Sequence, residues 1–176
     1  SPAMKTIAAA LLFFTAMTTQ AKPVAIVIHA GAGRIDRDSF TPEHERLYHA
    51  TLEQSLRAGH AILKGGGSAL DAVEAATVIM EDAPVFNAGK GAVFTAEGKN
   101  ELDASIMDGR ALQAGAVGGV TTVKNPIRAA RAVMEKSPHV LFTNRGAEKF
   151  AADNGLEMVD PKYFFTERRW KQIQTW

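Results

Sequence analysis

The sequence contains no cysteine, and its charges almost cancel. Without cysteine the chain forms neither a disulfide nor a cysteine metal site, and it has no thiol nucleophile. The 20 basic and 19 acidic side chains give a formal net charge of +1 at pH 7. A domain that binds nucleic acid usually has a clear basic excess, so we expect no nucleic acid among its partners.

An apolar run near the start of the sequence has the pattern of an export signal. Lys5 supplies a positive charge, residues 7–16 form the apolar centre, and residues 19–21 provide a small-residue cleavage site. The apolar run is too short to span a bilayer, so we expect an exported protein with no membrane partner. The alternative is a buried or disordered N-terminal helix.

These features divide the sequence into three parts. We interpret residues 1–3, which precede the first methionine, as a cloning scar, residues 4–21 as a signal peptide, and residues 22–176 as a single domain. Export predicts a periplasmic location. An oxidising space usually favours disulfides, so a domain without cysteine depends on packing and on association with another chain.

Apolar periodicity and capping residues predict the order of the elements. Thr41 and Ser68 have the residue type and position of helix N-caps, and Pro84 and Pro138 end helices. Helices are predicted at residues 42–64, 69–83, 126–137 and 145–153, and in the tail 166–176. Strands are predicted at residues 24–28, 92–95, 102–107, 114–123 and 139–142. This order indicates an α+β layered fold rather than a doubly wound parallel sheet.

Two glycine-containing segments follow predicted elements and form candidate loops. The first is Ile-His-Ala-Gly-Ala-Gly at 28–33, and the second is Pro-Val-Phe-Asn-Ala-Gly-Lys-Gly-Ala-Val-Phe-Thr at 84–95. Glycine permits tight turns that expose backbone carbonyl and amide groups, so the second segment predicts a site around Asn87. An ordinary turn between a helix and a strand is the alternative.

A third block, Glu-Leu-Asp-Ala-Ser-Ile-Met-Asp-Gly, occupies residues 101–109. Five positions separate Asp103 from Asp108, which places their carboxylates on opposite faces of a strand. Asp-Gly is also a common hairpin turn. We therefore assign both aspartates to the scaffold rather than to acid–base chemistry or calcium binding.

Together the three blocks resemble the α-subunit of the plant-type L-asparaginases, also called isoaspartyl peptidases, which are N-terminal-nucleophile amidohydrolases. The resemblance implies a precursor that cleaves itself, so that a threonine becomes the first residue of a separate β-subunit and acts as the nucleophile. It further implies a four-layer αββα sandwich completed by that β-subunit, and an (αβ)2 heterotetramer. The catalytic nucleophile is then expected outside this chain.

The resemblance also assigns roles to residues of the two loops. Asn87 is expected beside the threonine nucleophile, where its amide helps to hold and polarise the reacting group. Gly31 and Ala32 are expected in an active-site loop close to that nucleophile. Ala30 replaces a glycine that is usual in the family, and its Cβ is expected to disfavour a positive φ. His29 is expected to be a structural hydrogen-bonding group rather than a base.

The same resemblance implies a sodium ion and no organic cofactor. Backbone carbonyl oxygens suit this hard cation of low charge, because their dipoles can replace its hydration shell. An ion-free loop that supports itself is the alternative. The residues whose carbonyls are implied as sodium ligands are Met80, Glu81, Ala83, Phe86, Ala88 and Lys90.

The implied activity is hydrolysis of L-asparagine and of β-aspartyl (isoaspartyl) dipeptides, which are small-molecule substrates. Two alternatives stay open. One is glycosylasparaginase activity on sugar-linked asparagine, and the other is a non-catalytic exported protein that binds a small ligand or a partner. Comparing ammonia release from asparagine with dipeptide cleavage separates the enzymatic activities, and no turnover of any substrate favours the binding protein.

Overall fold

A computed structural model of the chain describes residues 23–31 and 41–175. The scar and signal peptide predicted for residues 1–21, and the loop residue Ala32, lie outside the described residues. Within the described residues, none of the helices combines the length and the apolar character needed to cross a membrane.

The described part of the chain is a mixture of helices and strands. The helices are α1 (Pro42–Lys64), α2 (Ala69–Asp82), α3 (Pro126–Lys136), α4 (Asn144–Asp153) and α5 (Glu167–Ile173). The strands are β1 (Leu102–Asp108), β2 (Gln113–Val120) and β3 (Leu141–Thr143). Short 3-10 helices occupy Gly89–Gly91 and Pro161–Phe164. The predicted combination of helices and a sheet is confirmed, and each predicted helix is present.

Helices α1 and α2 begin directly after Thr41 and Ser68, the capping residues from which their starts were predicted. The side chain of Thr41 accepts a hydrogen bond from the N–H of His44 at 3.1 Å, and that of Ser68 accepts one from Asp71 at 3.0 Å. These side chains satisfy donors that the first turn of a helix leaves free, and each contributes about 1 kcal/mol.

Helices α1 and α2 approach closely because small residues lie between them. Ser55 is fully buried and donates its hydroxyl to the carbonyl oxygen of Ala76 at 2.7 Å. A Cβ added to Gly59 would lie 2.9 Å from the carbonyl oxygen of Ala72, which leaves no room for a side chain. This close packing fixes the direction of α2 and therefore the position of the loop that follows it.

The strands form one mixed sheet in the order β1-β2-β3. β1 pairs antiparallel with β2, and β2 pairs parallel with β3, which follows helix α3 along the chain. The strands predicted at residues 102–107 and 114–123 are confirmed, although β2 already ends at Val120. The strand predicted at 139–142 is present as β3, displaced to Leu141–Thr143.

The strand predicted at residues 92–95 is wrong. The buried side chain of Asn100 donates its amide to the carbonyl oxygens of Ala92 and Val93 at 3.0 and 3.1 Å. A side chain therefore occupies acceptors that a neighbouring strand would otherwise use. The apolar run from Ala92 to Phe94 did not reveal this partner, because an apolar pattern reports burial and not hydrogen bonding.

The strand predicted at residues 24–28 is also wrong for the described part of the chain, which is irregular there. The alternating pattern still appears in the burial of the side chains: Ile26 is half-buried against α1 near Gly59, and Val27 is 90% exposed. A strand needs a partner with free backbone groups, and no described strand pairs with this segment.

One face of the sheet is buried and the other is open. Helices α3 and α4 cover the first face, and the core between them includes Val117 and Val120 of β2, Val133 of α3, and also Val123 and Phe164. On the other face, Met107 is 59% exposed and pairs with Ala114. Leu141 is 55% exposed and pairs with Ala116. The open face therefore carries two exposed apolar side chains, Met107 and Leu141, beside the small residues Ala114, Ala116 and Ser105.

Candidate active site

The loop after α2 folds back on itself around two glycines. A Cβ added to Gly91 would overlap the carbonyl oxygen of Phe86. Gly89 has a φ of +46°, and a Cβ there would overlap the carbonyl oxygen of Glu81. Glycine is required at both positions because two stretches of backbone meet there without room for a side chain.

Asn87 is exposed on this loop, and a hydrogen bond fixes the oxygen of its side-chain amide. Its Oδ1 accepts a hydrogen bond from the N–H of Val93 at 2.9 Å. Among the described residues, no acceptor binds its Nδ2. The amide therefore offers two N–H donors beside the loop while its orientation is fixed. Such a donor can bind an oxygen atom on which negative charge develops.

Carbonyl oxygens implied as sodium ligands surround the same loop. Those of Glu81 and Phe86 approach the two glycines. Those of Met80 and Ala88 each accept one backbone hydrogen bond, at 3.3 and 3.0 Å. A carbonyl oxygen has two lone pairs, so each of these keeps acceptor capacity for a cation. In the described part of the chain, no group of three or more acidic or histidine side chains could hold a metal ion.

The remaining two residues of that set are Ala83 and Lys90. Ala83 is the C-cap of α2, where its N–H donates to the carbonyl oxygen of Met80. The ammonium group of Lys90 lies 5.3 Å from the ring centroid of Tyr163. The Lys90 side chain is thus engaged by an aromatic face, and its backbone forms part of the loop.

Glu81 has its carbonyl oxygen in this loop and its side chain in the core. The residue is 3% exposed, and Oε1 accepts a hydrogen bond from the N–H of Ile127 at 3.0 Å. Glu81 therefore caps α3 in place of Asn125, whose amide donates to Asp82 at 3.0 Å. Oε2 has no hydrogen-bond partner among the described residues. Burial raises the pKa of Glu81 to about 7, although the Ile127 donor opposes this shift.

Glu81→Gln is expected to remove a pH dependence of stability. The pKa of Glu81 is about 7 in the folded chain and 4.5 without the fold, so folding favours the neutral acid. Its contribution is fully present below pH 4.5 and is lost as the pH rises to 7. Across that window we expect the free energy of unfolding of wild type to fall by about 3 kcal/mol relative to the variant. Urea denaturation at a series of pH values measures this, and parallel stability curves would contradict it.

Two adjacent arginines of α5 reach the same loop. Arg169 donates from Nε to the carbonyl oxygen of Gly91 at 2.8 Å, and Arg168 donates to that of Val85 at 3.3 Å. Burial lowers the pKa of both guanidinium groups, and the charge of Arg168 lowers that of Arg169 further, to about 10. Both groups stay charged at neutral pH, so they are cationic donors to the loop carbonyls.

The first loop is described as far as Gly31, which has a φ of +116° and open space around it. The N–H of Gly31 donates to Nδ1 of His29 at 3.3 Å, so the histidine has a structural hydrogen bond. Gly31 has a positive φ and Ala30 does not, so the Cβ of Ala30 meets no strain of that kind. Apart from its chain neighbours, no described atom lies within 4 Å of a Cβ built on Gly31, and Ala32 lies outside the described residues.

Asp103 and Asp108 belong to the scaffold, as predicted. Oδ1 of Asp103 accepts a hydrogen bond from the N–H of Gly119 at 2.9 Å, and Oδ1 of Asp108 accepts one from Arg110 at 2.9 Å. Both carboxylates therefore hold backbone at the ends of β1 and β2, and they are not near each other.

A cavity of about 750 Å³ lies among the described residues at the end of the sheet. In its wall, Glu148 accepts hydrogen bonds from the N–H and the hydroxyl of Thr121 at 2.7 and 2.8 Å. Burial raises the pKa of Glu148, but the threonine donors outweigh it and hold the pKa below its usual range. Neither Asn87 nor Gly31 lines this cavity, so it is separate from the predicted site.

Sequence reasoning missed the side-chain role of Glu81 and the contacts of Arg168 and Arg169. A signal for Glu81 exists, because two acidic residues, Glu81 and Asp82, end α2 where the helix dipole disfavours negative charge. That conflict indicates a partner outside the helix. The arginines have no comparable local signal, since their partners are 83 and 78 residues away in sequence.

The comparison with known proteins agrees with the resemblance carried by the loops. A model of the family described as Asparaginase matches residues 21–176. The chain belongs to this asparaginase family. The match includes the Asn87 loop, the first loop and both acidic scaffold residues.

The chain is similar to proteins named isoaspartyl peptidase or isoaspartyl peptidase/L-asparaginase. The isoaspartyl peptidases of Salmonella typhimurium and Escherichia coli are 48% and 47% identical to it over 148 residues, which is 84% of the chain. The isoaspartyl peptidase/L-asparaginase of Homo sapiens is 45% identical over 152 residues, which is 86% of the chain. The aligned segments are 47%, 46% and 48% of these relatives. The asparaginase-family chain therefore spans about half the length of the relatives that it matches.

Proposed function

We propose that the complete natural protein that carries this chain hydrolyses L-asparagine and β-aspartyl (isoaspartyl) dipeptides. The observation that carries this proposal is the exposed Asn87 amide, whose Oδ1 is held by Val93 while its N–H donors are available. Membership of the asparaginase family and the names of the relatives support the choice of substrates.

In this proposal the nucleophile is the N-terminal threonine of a second chain, a β-subunit cut from the same precursor. Its hydroxyl oxygen bonds to the side-chain carbonyl carbon of the substrate, and its α-amine takes the hydroxyl proton. That proton passes to the substrate nitrogen as its bond to the carbonyl carbon breaks, so that ammonia or an amino group leaves. Water then hydrolyses the ester that joins the threonine to the rest of the substrate. Asn87 donates a hydrogen bond that holds and polarises the reacting group.

The second chain is further proposed to complete a four-layer αββα sandwich and to form an (αβ)2 heterotetramer. The open sheet face supports this, because its large apolar side chains Met107 and Leu141 are 59% and 55% exposed, and such side chains of a sheet are normally covered by another layer. Residues 24–28 also alternate in burial without a described partner strand.

Met107→Glu is expected to prevent the two subunits from associating. A carboxylate on the covered face of a sheet would lose its hydration without gaining a partner, which costs several kcal/mol. Leu112→Glu is the matched control, since Leu112 is 76% exposed in the turn between β1 and β2. Co-purification of the subunits measures the effect. Equal recovery of the β-subunit with both variants would contradict the sandwich.

A structural sodium ion is proposed at the carbonyl groups around the Asn87 loop. The Glu81 carbonyl oxygen lies close to Gly89 and that of Phe86 close to Gly91, which supports a cation near this glycine turn. The ion would supply a fixed positive charge that holds the loop carbonyls together. Replacing sodium by choline in the buffer is then expected to lower Tm, and an unchanged Tm would count against the site.

Export to the periplasm is proposed from the pattern of residues 4–21. The intact mass of protein recovered from the periplasm is expected to lack these residues. Protein that keeps them, or that stays in the cytoplasm, would contradict the proposal.

Turnover assays of the complete natural protein test the proposed function. We expect ammonia release from L-asparagine and cleavage of a β-aspartyl dipeptide. Turnover of a sugar-linked asparagine alone would indicate the glycosylasparaginase alternative. A folded protein that turns over none of the three substrates would support a non-catalytic binding protein.

A further inference from the structure

Two half-buried guanidinium groups lie against the loop that carries Asn87. Arg168 and Arg169 form no ion pair within the described part of the chain, whereas Lys171 on the same helix lies 3.8 Å from Glu167. Removing a guanidinium group from water costs free energy unless its donors are satisfied. The loop carbonyls bind one donor of each arginine, and the side chain of Gln172 binds a second donor of Arg169.

The two arginines bind opposite ends of the loop. Arg168 donates to the carbonyl oxygen of Val85 at 3.3 Å, before Asn87, and Arg169 donates to that of Gly91 at 2.8 Å, after it. Closing a flexible loop costs conformational entropy, and a clamp across its two ends maintains the closure. Because both donors come from neighbouring residues of α5, they also set the separation of the two ends.

The closed loop in turn positions the Asn87 amide. Val93, two residues after Gly91, donates the N–H that holds Oδ1 of Asn87. A displacement of Gly91 would move Val93 and turn the amide of Asn87. The contacts therefore run from Arg169 through Gly91 and Val93 to Asn87.

An aromatic cluster keeps α5 against this segment. The rings of Trp170 and Phe94 are edge to face, with centroids 5.2 Å apart, and Phe165 lies 5.8 Å from Phe94. A Cβ added to Gly98 would lie 3.4 Å from the Trp170 ring. Since Phe94 directly follows Val93, α5 contacts the chain on both sides of Val93, at the Gly91 carbonyl oxygen and at the Phe94 ring.

We propose that Arg168 and Arg169 are positioning residues that hold the Asn87 amide in the orientation required by the reaction. This proposal rests on the hydrolytic function proposed above. The two arginines act through the loop and do not contact the substrate. Their loss affects kcat more than KM, because a misplaced donor weakens stabilisation of the transition state more than binding of the substrate.

A double-mutant cycle in the complete natural protein, with L-asparagine as substrate, tests this path. Arg169→Met keeps the apolar stem but removes the donors. We expect a roughly 10- to 100-fold lower kcat and little change in KM. Adding Arg169→Met to Asn87→Ala is expected to change kcat by less than about twofold, because the two residues act through one path. Effects that multiply would overturn the proposal.

Lys171→Met is the matched control, since it removes a cationic side chain from the exposed side of the same helix. Its kcat and Tm are expected to equal those of wild type. Arg168→Met is a second test variant, which keeps the experiment decisive if Arg169→Met fails to fold. A similar loss of kcat in Lys171→Met and in the arginine variants would show that α5 contributes only to folding, and would overturn the proposal.

Hydrogen exchange separates failure of this proposal from failure of the proposed function. In Arg169→Met, the amides of residues 91–93 are expected to exchange at least about tenfold faster than in wild type, with or without hydrolytic activity. Unchanged exchange in an active enzyme would overturn the positioning role alone. Faster exchange in a protein without any turnover would show that Arg169 stabilises the loop. It would also contradict both a role of the arginines in catalysis and the proposed function.

Discussion

Asn87→Ala is expected to lower kcat for L-asparagine about 100- to 1000-fold in the complete natural protein. The reason is that its amide is the exposed hydrogen-bond donor of the loop, and a preorganised donor of this kind stabilises charge that develops in the transition state. KM is expected to change much less, since the donor acts mainly in the transition state. Steady-state kinetics of ammonia release measure both constants.

Asn87→Asp separates the donor from the structural role of the same side chain. Aspartate keeps an oxygen that can accept the hydrogen bond from Val93, which Asn87 accepts at 2.9 Å, but it has no N–H donor. We expect Asn87→Asp to lose nearly as much kcat as Asn87→Ala while its Tm stays close to that of wild type. An Asn87→Asp variant with normal kcat would show that the amide does not act as a donor.

Gly91→Ala is expected to have the largest effect on stability, about 3 kcal/mol, because its Cβ would meet backbone and not a movable side chain. The new Cβ would overlap the Phe86 carbonyl oxygen and lie 3.0 Å from that of Pro84. The loop can relieve this overlap only by opening, so kcat is expected to fall as well. Chemical denaturation measures the change in the free energy of unfolding.

Gly109→Ala is the control for the glycine substitution. A Cβ at Gly109 would meet no atom within 4 Å, and this glycine does not have a positive φ. Its expected change in stability is within about 0.5 kcal/mol, as for other exposed positions. If Gly91→Ala were equally mild, the close approach of the backbone in the Asn87 loop would be wrong.

The sequence predicted the helices better than the strands. Thr41 and Ser68 were recognisable as caps because each binds an N–H three residues away. The strands at 24–28 and 92–95 were wrong, because a strand depends on a partner that periodicity does not identify. At residues 92–95 the side chain of Asn100, rather than a neighbouring strand, binds the carbonyl groups of Ala92 and Val93.

The candidate site was predictable in part. The Asn87 loop stood out because two glycines in three positions indicate a tight turn, and the resemblance to asparaginases gave Asn87 a role. Arg168 and Arg169 were not predicted, because an arginine in a charged tail is usually a solvated surface residue. Their donors reach the loop only because α5 folds back onto it.

The sequence by itself determined where the helices begin and where the chain turns on glycine, because these features depend on residues within about four positions. It also determined membership of the asparaginase family. Only the tertiary structure decided that Glu81 caps α3 and that two arginines clamp the Asn87 loop. These contacts join residues 46, 78 and 83 positions apart, and no local pattern encodes which distant donor will satisfy a given acceptor.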